Sequence, residues 1–263
     1  MSRAVKKTAV VNAPVDVVWR AISEADELVR WFPVDARVDP GPGGSIWLSW
    51  GSGTEGQAPI TGWVPGRHLQ WTETRGPVKL AVDFHLEAQG GTTVVRLVQS
   101  GFGDGADWDD EFHMTDGGWT YFLAHLKFYL ERHRGTPRDL IAFREPLLMS
   151  RAEAFLRLLG PSGLSRDDRL GGTRMGTPYR TVTALGDDLA GVVVAASPDT
   201  WQFGMTIDTI GPAILFVEIE PAPTGARAGF WLSTYGLSPE RLGDTRERFG
   251  RLYREALMLT EKA

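Results

Sequence analysis

Hydrophobic and polar residues alternate along much of this chain. Val82, Phe84 and Leu86 face one way and Asp83, His85 and Glu87 the other; Gln89-Gly90-Gly91 turns the chain, and Val95, Leu97 and Gln99 return on one side. Similar strand patterns cover 6–11, 34–38, 45–50, 57–64 and 67–74. Two short helical patterns interrupt them. In one, Val15, Val18, Trp19 and Ile22 form a stripe, with Asn12 as a cap and Pro14 near the start. The other runs from Ser23 to Trp31. From Thr115 to Gly135 the period changes to 3.6. Trp119, Phe122, Leu123, Leu126, Tyr129 and Leu130 then share a helix face, Asp116 is placed to cap it, and Gly135 and Pro137 to end it.

The order predicts an antiparallel sheet curved around one long helix. That pattern resembles the helix-grip fold of the START/Bet v 1-like superfamily. More narrowly it resembles the family named after the C-terminal domain of the Hsp90 ATPase activator. The resemblance is carried by Ala13-Pro14-Val15-Asp16-Val17-Val18-Trp19, Trp31-Phe32-Pro33, Gly43-Gly44-Ser45-Ile46-Trp47, Val98-Gln99-Ser100-Gly101-Phe102 and Asp116-Gly117-Gly118-Trp119. These span residues 1–135. The family often carries His where Gln99 stands, and Gln cannot shuttle protons near neutral pH.

Residues 136–263 read as a faded repeat. Strand patterns are predicted at 139–143, 182–184, 189–196, 201–207, 213–220 and 226–235. One helix is predicted over Pro146–Leu159, and a last one is opened by Ser238 and Pro239. The expected fold class is therefore α+β, with two tandem helix-grip modules, 1–135 and 136–263.

Composition narrows the chemistry. The 263 residues are 42% hydrophobic and 23% charged, with 28 basic and 33 acidic side chains giving a net charge of −5. A mildly acidic chain without a basic run is no nucleic-acid binder. No uncharged apolar run is long enough for a membrane span, and the opening residues hold no apolar signal core. The expected location is the cytoplasm, and a homodimer is left open. With no cysteine in the chain, thiol catalysis and thiolate metal sites are excluded.

No nucleophile motif, phosphate loop or metal-ligand spacing is present, and no cofactor is expected. Gly101-Phe102-Gly103-Asp104-Gly105 lacks the dinucleotide pattern. The acidic run from Asp104 to Glu111 lacks the spacing of a calcium loop. His85 points outward by parity, and His125 is placed off the buried stripe of the long helix.

Eight of the ten tryptophans and all five histidines precede residue 135, so a ligand site is expected in the first module. The aromatic candidates to line a cavity are Trp31, Phe32, Trp50, Trp63, Trp71, Phe84, Phe112, Trp119 and Phe122. The polar candidates are Glu73, which shares parity with Leu69 and Trp71, and Gln99. The reading that results is a non-enzymatic binding protein for a hydrophobic or aromatic small molecule. Two alternatives follow from the resemblance: a polyketide-type cyclase, hydrolase or self-sacrificing detoxification protein, and a chaperone-associated module.

Overall fold

The computed structural model describes residues 3–259 apart from Ser52, Pro77, Pro198 and Thr200, with Arg75 described by its backbone. The chain divides into two compact units at the Thr136–Pro137 junction.

The first unit runs β1 (Arg3–Val11), α1 (Val15–Ser23), α2 (Ala25–Leu28), β2 (Asp35–Asp39), β3 (Ser45–Ser49), β4 (Glu55–Val64), β5 (His68–Arg75), β6 (Val78–Gln89), β7 (Thr92–Phe102), a 3-10 turn (Ala106–Trp108) and α3 (Asp109–Arg132). Its seven strands form one antiparallel sheet in the order β1-β7-β6-β5-β4-β3-β2. A register shift between Ile60 and Gly62 puts a bulge in β4, which bends the strand and increases its twist. The inner face carries buried Leu69, Trp71, Phe84, Val95 and Leu97; α3 supplies Trp119, Leu123, Leu126 and Leu130. At the end of β7, Gly101 has φ +103°, and a Cβ there would collide with the carbonyl of Lys79 on β6. Only glycine fits that close approach.

Two capping expectations are corrected. Helix α3 begins at Asp109, six residues before the predicted start. Asp109, Asp110 and Glu111 form its first turn, where acidic side chains suit the positive end of the helix dipole. Asp116 lies inside the helix and pairs with Lys7 at 2.7 Å. At α1 the N-cap position is Pro14 with no side-chain cap, while the amide of Asn12 donates to Glu131 Oε1 at 2.7 Å.

The placement of His125 is also corrected: it is 1% exposed, beside Tyr121 at 5.5 Å between ring centres. Gly117, Gly118, Tyr121 and Phe128 are buried too. The buried arc of α3 is thus wider than the stripe read from Trp119, and it takes in the flank about 240° away, at 100° per residue.

The second unit runs β8 (Arg138–Leu147), α4 (Arg151–Leu159), β9 (Pro178–Val182), β10 (Asp188–Ser197), β11 (Gln202–Ile207), β12 (Ala213–Pro221), β13 (Ala226–Tyr235) and α5 (Pro239–Ala256). Its sheet order, β8-β13-β12-β11-β10-β9, follows the same rule as the first. The opening strand pairs with the last, and the rest fold back in sequence. Among the described residues the second unit has one strand and one α-helix fewer than the first. Gly101 and Gly236, at matching places after the last strand pattern, both have positive φ. Phe249, Leu252, Tyr253 and Ala256 bury the inner side of α5, and Ser238 Oγ caps it by accepting from the Arg241 amide.

Two boundaries move. Residues 146–147 continue β8, so α4 starts only after Ser150, whose Oγ accepts from the Glu153 amide; Leu148 is left 92% exposed. The strand expected at 182–184 ends at Val182, because Thr183 and Asp187 close a turn through paired side-chain bonds of 2.9 and 3.0 Å.

Candidate functional site

A layer of rings lies between the inner face of the first sheet and α3. The segment after α2 delivers Trp31 and Phe32. The indole Nε1 of Trp31 donates to the Ala21 carbonyl at 2.8 Å, which locks this fully buried ring to the end of α1. Phe32 is the centre of the layer. It stacks on Trp31 (5.1 Å between centroids) and on Trp119 (5.1 Å), and meets Trp50 (5.4 Å) and Phe122 (4.8 Å) edge to face. Trp119 passes the contact on to Phe84 at 5.7 Å, and Phe84 to Trp71 at 5.8 Å. Such stacked and edge-to-face pairs satisfy the ring quadrupoles and add to simple burial.

A polar bond crosses this layer. Trp119 Nε1 donates to Gln99 Oε1 at 2.5 Å, joining α3 to β7. Gln99, Trp50 and Phe122 are only part-buried, whereas Trp31, Phe32, Phe84 and Trp119 are buried. Eight of the eleven candidate residues are thus joined by ring contact or hydrogen bond. Glu73 is two residues beyond Trp71 on the same face, part-buried and across from Leu80.

The other two lie apart. Trp63 faces the inside opposite Leu69, but its ring partner is Trp19 of α1, at 5.0 Å. Phe112, in the first turn of α3, packs on Phe102 at 5.4 Å and under the Arg3 guanidinium at 4.8 Å.

The sheet register also gathers residues that linear spacing leaves apart. On the outer face, His68 Nε2 and His85 Nε2 lie 2.8 and 3.0 Å from the same oxygen, Asp83 Oδ1, and the two imidazoles stack at 4.5 Å and 15°. Alternation alone put Asp83 and His85 on the outer side. Finding His68 beside them needs the β5–β6 register, in which His68 faces His85 directly. A groove of about 850 Å³ borders this cluster, with Val15, Val64, Arg67, Leu86 and Arg96 among its walls.

A seven-stranded antiparallel sheet packed against a long C-terminal helix gives the first unit a helix-grip architecture. Residues 12–131 match the family model described as "Activator of Hsp90 ATPase homolog 1-like protein". Similar solved structures include the Aha1 dimer from Colwellia psychrerythraea, with 20% identity over 51% of this chain and 99% of that one (TM-score 0.46). DynU16, described as a putative protein of the dynemicin biosynthetic locus, is 19% identical over 97% of both chains (TM-score 0.44). The di-domain ARO/CYC BexL from the BE-7585A biosynthetic pathway is 14% identical over 98% of this chain and 97% of that one (TM-score 0.44). No curated protein matches the chain in sequence. Among the described residues, no helix is long and apolar enough to cross a membrane.

Proposed function

We propose that the first unit binds a flat, largely apolar small molecule against the ring layer between its sheet and α3, and releases it unchanged. The observation that carries this reading is the layer around Phe32: broad aromatic faces on a rigid sheet, with Trp50 and Phe122 left part-exposed at its margin. Rigid rings contribute contact area at little entropic cost. Gln99, fixed by Trp119, can also accept from or donate to a polar group of the guest.

Glu73 supports a second reading, because it is the only carboxylate among the site candidates and lies on the inner face beside Trp71. A cyclase or hydrolase would use it as its acid or base. Tryptophan quenching against a panel of aromatic polyketides and flavonoids, followed by mass analysis of the ligand, separates the two. Saturable quenching with unchanged ligand is expected. Conversion of the ligand that disappears in Glu73→Gln would replace binding by catalysis.

A further inference from the structure

We propose that His68, Asp83 and His85 form a binding site for a divalent metal ion of the zinc class, on the outer face of the first sheet. His68 and His85 are direct partners across β5 and β6, and Asp83 is two residues before His85 on the same face. One ligand atom from each residue lies within 4.8 Å of the other two. A tetrahedral ion with bonds of 2.0–2.1 Å to nitrogen and oxygen holds its ligands about 3.3 Å apart. His68 Nε2 and His85 Nε2 already lie 2.8 and 3.0 Å from Asp83 Oδ1, close to that spacing. Two imidazoles and a carboxylate are a nitrogen–oxygen donor set suited to zinc and neighbouring transition metals.

Two further features build the site. The second carboxylate oxygen, Asp83 Oδ2, accepts from Gln70 Nε2 at 2.9 Å; Gln70 Oε1 accepts from Thr61 Oγ1 at 2.9 Å, which meets Thr72 Oγ1 at 3.1 Å. This chain across three strands fixes the carboxylate and leaves Oδ1 turned to the imidazoles, as supporting residues do around metal ligands. Gly62 supplies the space: a Cβ there would come within 2.5 Å of His68 Cε1 and 3.0 Å of His68 Nδ1. The missing side chain of Gly62 thus leaves room for the His68 ring. His85 is half-exposed, so an ion can enter from solvent. Three protein ligands leave one tetrahedral position for water or a small anion, on the side of the groove that His68 and His85 both line.

Calorimetric titration of the intact chain with zinc chloride tests the proposal. One saturable equivalent is expected, with binding at least about tenfold weaker in His68→Ala/His85→Ala and in Asp83→Asn. Asp83→Asn preserves the shape of the side chain and keeps the test valid if the double variant does not fold. Gly62→Ala, which displaces the His68 ring, is expected to weaken binding in the same direction. Zinc should raise the melting temperature of the parent and not that of Asp83→Asn. Absence of saturable binding would overturn the proposal, as would affinity in Asp83→Asn equal to the parent's.

Discussion

Trp119 joins three functions in one residue: it fills the interior of the first unit, stacks on Phe32 and holds Gln99. Trp119→Ala should cost about 3–5 kcal/mol of stability, as for other buried aromatics, measured by denaturant unfolding. A loss under about 1 kcal/mol would show that the ring adds little to the packing. Its partner gives a finer test. Gln99→Leu leaves a buried indole N–H without an acceptor and should cost about 1–3 kcal/mol. Gln99→His offers an imidazole nitrogen as acceptor, so it should cost less than Gln99→Leu. If the two variants are equally destabilised, the bond to Trp119 is not what Gln99 contributes.

In the second unit the residue to test is Glu218. Its carboxyl is pushed up to about 7 from an ordinary 4.5, first by burial and then by the negative charge of Glu220; Arg144, Trp231 and Gln202 act the other way. Trp231 Nε1 donates to Glu218 Oε1 at 3.0 Å, and Arg144 is bound to Glu220 at 2.7 and 2.9 Å. A folded-state pKa above the unfolded one means the native state holds the proton longer. The contribution of this group is therefore fully present below about 4.5 and is lost as pH rises to about 7. Glu218→Gln cannot ionise, so its stability relative to the parent should improve as pH climbs through that window, as read from melts at paired pH values. A constant difference would mean that the Glu218 carboxyl is hydrated in the folded protein.

At the scale of elements, what could be read from sequence followed from periodicity, and what could not depended on register. The hairpin over Val82–Leu86 and Val95–Gln99 was visible because strict alternation marks a sheet with one buried face. The start of α3 was hidden because Asp109, Asp110 and Glu111 look like a solvated loop until the dipole they serve is considered. Trp63 has inward parity like Trp71, but parity fixes a face and not a place on it, and the Trp63 ring meets Trp19 of α1 instead. The histidine cluster needed the pairing of His68 with His85, which no single strand reveals. In the second unit, Ser150 opens α4 by accepting from the Glu153 amide at 3.1 Å. Ser150→Ala should cost about 1 kcal/mol, with loss of amide protection confined to the first turn of α4 in hydrogen exchange. Loss spread over the whole unit would give Ser150 a role beyond its cap.

At the scale of the whole molecule, the two units repeat one connectivity with different contents. Each sheet closes by pairing its first strand with its last, so each has the long-range contacts of a complete fold within its own stretch of chain. Eight of the ten tryptophans and all five histidines lie in the first; the second has apolar strands such as Ala213–Val217 and the part-buried Glu218. A self-contained sheet and helix predict that residues 1–136, expressed alone, unfold in a single cooperative transition and retain the tryptophan quenching of the full chain. Quenching that needs the full chain, in a fragment that still unfolds cooperatively, would assign the second unit a part in binding. A fragment without a cooperative transition would mean that the repeat braces the first unit, and that the connectivity of one sheet is not enough to hold its own helix.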